Sequence, residues 1–139
     1  MLKVVLDTNQ LVSSLLSTRG PQGQLIDAWR RRAFALFIAP GQLEDVAEVL
    51  RRPKISRKYS IAPADQRALL ELLRSEAILL PDTRPPGICR DPEDDYLLGC
   101  AAAGGADHLV TGDADLLSVG EYGGMAIVAA RQFLGLLSV

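Results

Sequence analysis

The sequence predicts an α/β fold: a three-layer α/β/α sandwich around a roughly five-stranded, mostly parallel sheet. Short, near-continuous apolar runs alternate with longer stretches of helical spacing, the pattern of strands buried on both faces and joined by helical crossovers. A length of 139 residues suits one domain, so residues 1–139 are expected to form a single unit. A hydrophobic content of 48% supplies a core and excludes intrinsic disorder.

The elements follow in order. Leu2 to Leu6 reads as a first strand. Pro21 opens a helix reaching Arg32, with Leu25, Ile26 and Trp29 on one face. Ala35 to Ala39 is a second strand. Leu43, Val46, Ala47 and Leu50 recur at helical spacing until Pro53 stops them. Pro63 opens a helix over 64–75, and Ala77 to Leu80 is a third strand. Asp91-Pro92-Glu93-Asp94 combines an N-cap, a proline at the first helical position and an acidic first turn, leading into Tyr96 to Ala103. His108 to Val110 and Met125 to Val128 complete the strands, and a short terminal helix covers Ala130 to Leu137.

Several classes are excluded. The longest weakly polar run, 97–106, contains three glycines and is too short to span a membrane. Asp7 interrupts the apolar start, so no signal peptide is expected. Cys89 and Cys100 have no metal-ligand spacing, which suits a reduced, cytoplasmic protein. Trp29 is expected to pack in the core, His108 to pack at the start of its strand, and Asp107 and Glu121 to be solvated.

The net charge of −2 hides a split. Residues 1–75 carry 12 Lys/Arg against 7 Asp/Glu, whereas 76–139 carry 3 against 10. Parallel sheets place ligands beyond the carboxyl ends of their strands, and there the acids gather. The first strand runs into Asp7-Thr8-Asn9, and the fourth into Thr111-Gly112-Asp113-Ala114-Asp115. Asp91, Glu93, Asp94 and Asp95 begin one rim helix; Glu44, Asp45 and Glu48 lie near the start of another. Two carboxylates about 4 Å apart repel by roughly 4 kcal/mol at an effective dielectric near 20, so such a rim needs protons or a cation. Oxygen ligands without converging His or Cys favour Mg²⁺ or Mn²⁺, whose usual work is phosphate chemistry. Asp91 read alone is only an N-cap, and Asp94 only a favourable charge at a helix start. Thr8 and Thr111 equally suit turns. Arg51, Arg52, Lys54, Arg57 and Lys58 form a basic run, and Arg30, Arg31 and Arg32 a second; each is either solvated surface or a phosphate grip.

The pieces V-V-L-D-T-N at 4–9, V-L-R-R-P-K at 49–54, C-R-D-P-E-D-D at 89–95 and G-A-D-H-L-V-T-G-D-A-D-L-L at 105–117 resemble, in order, the PIN domain family. The resemblance is to its compact prokaryotic branch, the VapC-like toxins of type II toxin–antitoxin pairs, and it covers nearly the whole chain. It implies a PIN-like, Mg²⁺- or Mn²⁺-dependent endoribonuclease holding one or two ions. The acids it implies are Asp7, Asp45, Asp94 and Asp113, with Glu44 as a substitute for Asp45 and Asp115 as an outer contributor. Thr111, Thr8 and Asn9 match its supporting polar residues. Asp45 stands where this branch usually has Glu, one methylene longer. The resemblance further implies an RNA substrate, a cognate antitoxin and a homodimer.

The expected mechanism is in-line attack on an RNA phosphodiester by a water that the metal acidifies, without a side-chain nucleophile. A phosphorylated receiver is disfavoured because no Lys follows Lys58, and a haloacid-dehalogenase-like phosphatase because position 9 is Asn. The non-enzymatic alternative is a degenerate PIN module that binds or scaffolds without cleaving.

Overall fold

A computed structural model of the chain describes residues 1–137, which form six strands and eight helices. In chain order these are β1 (Lys3–Leu6), α1 (Thr8–Leu16), α2 (Pro21–Arg30), β2 (Ala35–Ile38), α3 (Gln42–Arg51), α4 (Pro53–Ser56), α5 (Pro63–Glu76), β3 (Ile78–Leu79), α6 (Pro92–Ala103), β4 (His108–Val110), α7 (Ala114–Val119), β5 (Glu121–Tyr122), β6 (Met125–Val128) and α8 (Ala130–Leu137). The strands lie in the order β3-β2-β1-β4-β6-β5, all parallel to their neighbours except β5.

The α/β sandwich is as the sequence predicts, with a sixth strand beyond the five expected. Tyr122 and Met125 pair across Gly123 and Gly124, whose φ angles of 56° and 82° give the tight turn that twists with its strands. A two-residue strand beginning with exposed Glu121 offers no alternation to read. Helix α1 is a further element that the apolar spacing after Asp7 does not predict. Pro53 ends α3, as expected, and then opens the four-residue α4, because a proline is tolerated at a first helical position.

Alternation along each strand builds two cores. Val4 and Leu6 of β1 pack with Leu36, Ile38 and Val110 under α1, α2, α3, α5 and α8. Val5 points the other way and packs with Leu109 and Ile127 under α6 and α7. Trp29 is buried in the first core, and His108 makes an edge contact with Phe133, 5.1 Å between ring centroids.

The chain leaves β1 towards β2 and β3 on one side and returns to β4, β6 and β5 on the other. The strand order therefore reverses between β1 and β4, where an open α/β sheet forms a crevice. The register sets Leu6 beside Val110 and delivers Asp7 and Thr111 together into that crevice. Gln42 braces this edge from α3. It is buried, its Nε2 donates to the Leu6 carbonyl at 2.7 Å, and its Oε1 accepts from the Ala39 N–H at 3.0 Å. Gln42→Leu leaves both backbone groups buried without that partner. The expected cost is about 2–4 kcal/mol, seen as a lower urea midpoint with an unchanged m-value.

Candidate active site

Asp7 ends β1 and is the N-cap of α1. It is 6% exposed, and both oxygens are engaged: Oδ1 accepts from the Gln10 N–H at 2.9 Å, Oδ2 from the Thr111 hydroxyl. Thr111 Oγ1 in turn accepts from the Asp113 N–H at 3.0 Å, tying the β4–α7 turn to β1. Thr111 is thus fully buried support for the first acid. Burial raises the Asp7 pKa, the Thr111 and Gln10 bonds oppose this, and the Asp113 charge adds to it.

The next two acids also begin helices. Asp113 caps α7, accepting at Oδ1 from Asp115 N at 2.8 Å and Leu116 N at 3.1 Å. Asp91 caps α6, accepting from Glu93 N at 2.8 Å and Asp94 N at 3.4 Å. Asp94, in the first turn of α6, is half-buried. Its pKa is pushed up to about 6, first by burial and then by the charges of Asp113, Asp91, Asp7 and Glu93. Those couplings place Asp94, Asp113 and Asp7 within reach of one field although they come from distant segments.

A cleft of about 480 Å³ opens here. Asp7, Thr8, Asn9, Asp91, Glu93, Asp94 and Asp113 line it together with Asp45 and Glu48 of α3. Asp45 is exposed, and its pKa is raised by partial desolvation and then by Glu44 and Glu48, its own helix neighbours. Glu44, the expected substitute, does not line the cleft, whereas Glu48 does. Asp115 also lies outside the lining and pairs with Arg90 at 3.0 Å. Of the basic run, Arg52 lines the cleft; Arg51, Lys54, Arg57 and Lys58 do not.

Among the described residues no three carboxylates, histidines or cysteines already close around an ion-sized point. The donor set nonetheless suits a hard divalent cation. The lining donors are carboxylates, hydroxyls and amides without His or Cys among the described residues, and burial together with the neighbouring carboxylate charges raises the Asp94 pKa to about 6. Asp7, Asp94 and Asp113 are the residues that would hold such an ion, with Asp45 also on the lining.

Asp95 is a functional support that sequence reasoning missed. One residue after Asp94 on a helix, it points about 100° away and is buried. Its carboxylate accepts from Gly87 N at 2.8 Å, Ile88 N at 2.8 Å and Cys89 N at 2.9 Å, which fixes the loop leading to Asp91. These bonds, Cys89's first, hold its pKa below the usual carboxylate value. A lowered folded-state pKa contributes stability that is complete above the unfolded value and lost as pH falls through the folded one. Asp95→Asn should therefore cost about 2 kcal/mol at pH 7 and flatten the fall in stability below pH 4, as followed by urea titration at several pH values.

Among known proteins, the family profile for the PIN domain matches residues 3–115. An uncharacterised protein of Methanocaldococcus jannaschii, MJ1680, is 29% identical over 122 residues, covering 85% of this chain and 75% of that one. The crystal structure of PAE2754 from Pyrobaculum aerophilum superposes with a TM-score of 0.67 at 20% identity, covering 99% of this chain and 90% of that one, which supports the fold. Among the described residues no helix is long and apolar enough to cross a membrane. With a profile match over most of its length, the chain belongs to the PIN domain family.

Proposed function

We propose that this protein is a metal-dependent endoribonuclease that hydrolyses RNA phosphodiester bonds with Mg²⁺ or Mn²⁺. PIN domains are generally nucleases and generally use divalent metal ions. The observation that carries the reading onto this chain is electrostatic. Burial first, then the charges of Asp113, Asp91 and Asp7, raise the pKa of Asp94 in an open cleft at the switch point, where Asp7 and Asp113 follow neighbouring strands. A fold that gathers charge at this cost gains when a cation neutralises it.

The chain's own residues divide the work. Thr111 and the Gln10 N–H hold the Asp7 carboxylate in one orientation, so this ligand needs no reordering on binding. Asp113 is fixed by its cap bonds and Asp94 by its helix. Thr8 and Asn9 add polar groups to the cleft lining, and Asp45 and Glu48 add carboxylates from α3. A bound ion would supply a water of lowered pKa and steady the departing oxygen. The proposal further takes the chain as the toxin of a toxin–antitoxin pair, a cytoplasmic homodimer with a cognate antitoxin. That part rests on the four sequence motifs.

One observation favours the second reading, a module that binds without cleaving: the carboxylates stand apart rather than enclosing an ion. Metal titration separates the two. Purified protein should cleave single-stranded RNA with Mg²⁺ or Mn²⁺ and stop with chelator. Asp7→Asn keeps the Gln10 cap bond, sets an amide N–H against the Thr111 hydroxyl, and should lose about 100-fold or more in rate while remaining folded. Full metal-dependent cleavage by that variant would exclude Asp7 as a ligand.

The raised Asp94 pKa gives a second outcome. Its folded-state value of about 6 exceeds the ordinary value of 3.8, so the folded protein binds the extra proton between them. Without metal, stability should fall as pH rises from 5 to 7. Mn²⁺ should raise the melting temperature at pH 7 and do little at pH 5, where the proton competes. An equal Mn²⁺ effect in Asp94→Asn would remove Asp94 from the site.

A further inference from the structure

The carboxylates that suit a cation repel the rest of a polyanionic strand. Seven carboxylates line the cleft, and among the described residues one cation, Arg52, lines it with them. Arg52 is held at both ends. It is the C-cap of α3 and precedes Pro53, with φ −63° and ψ 127°, the extended backbone that a following proline favours. Its guanidinium meets Glu48 in a two-point pair, Nε to Oε1 at 3.2 Å and Nη2 to Oε2 at 2.9 Å. Glu48 lines the cleft as well. An arginine carries five N–H donors in one plane; the pair uses two and leaves three. As an exposed i,i+4 pair it contributes little to stability. Its removal therefore isolates an effect on binding.

We propose that Arg52 is the phosphate grip of this cleft, and that Glu48 is the positioning residue that orients its guanidinium towards the strand. The proposal rests on the nuclease reading above and adds which residue takes the substrate. A planar fork, already oriented, matches two oxygens of one phosphodiester better than a flexible ammonium does. The grip and the metal ligands then take separate phosphates of one strand or separate oxygens of one. Arg51 is exposed on the same helix end outside the lining, and contributes only diffuse attraction.

The test is fluorescence anisotropy of a 5′-labelled single-stranded oligoribonucleotide with Ca²⁺, over a salt series, alongside cleavage by the wild type with Mg²⁺ or Mn²⁺. Arg52→Gln should weaken binding about tenfold and reduce the slope of log affinity against log salt by about 0.7, the loss of one phosphate contact. Arg52→Lys should keep the slope and lose part of the affinity. Arg51→Gln should bind nearly as the wild type. Glu48→Ala should weaken binding in the wild type yet strengthen it in Arg52→Gln, where only its repulsive charge remains. Strengthening in both backgrounds overturns the role of Glu48. A wild type that binds and cleaves while Arg52→Gln and Arg51→Gln behave alike overturns the grip alone. A wild type that neither binds nor cleaves overturns the grip and the nuclease reading together.

Discussion

Asp7 is a carboxylate at a place from which the surrounding fold has removed most of the water, and much of the molecule is arranged to keep it there. β1 and β4 must run in a register that sets Asp7 beside Thr111. The Asp7 N–H extends the ladder to Val110 O at 3.1 Å, and its side chain starts α1. Gln42 ties the preceding carbonyl to α3, so the wall carrying Asp45 is set by the same strand end. Burial that would otherwise neutralise the group is opposed by two directed hydrogen bonds. The site is the sheet's switch point made chemical, and the two cores on either face hold the strands in that order.

Most of this was legible in the sequence because it is carried by long-lived local signals. The apolar runs, the prolines at 21, 63 and 92 and the clustered acids after strand ends each have a physical cause that acts over a few residues. What escaped depends on neighbours distant in the chain. Helix α1 carries three serine or threonine residues among nine, and its start depends on an Asp also expected as a ligand. Asp94 and Asp95 are identical in sequence terms, and only the loop at 87–89 makes one of them internal. Gln42 did carry a signal: it shares the spacing of buried Val46 and Leu50, so a polar residue in apolar phase marked a buried hydrogen-bonding role. The two-residue β5 is set by the Gly123-Gly124 turn and by β6 rather than by its own residues.

The charge split of the sequence also resolves into geometry. The acidic half supplies Asp91, Glu93, Asp94 and Asp113; the basic half supplies Asp7, Asp45 and Glu48. Most of the basic run stays outside the cleft. A surplus of positive charge in a segment says little about where a strand is held, because helix phase selects which side chains reach the site.

Three of the cleft's acids, Asp7, Asp91 and Asp113, begin helices. Folding alone would therefore hold those positions to the small set of capping residues, Asp, Asn, Ser or Thr. Capping holds a small polar side chain at each of these positions but does not by itself require a charge. Asp94 caps nothing among the described residues and stands in the cleft at an electrostatic cost. Folding does not by itself hold position 94 to an acid, so its carboxylate is explained by the cleft rather than by the helix start.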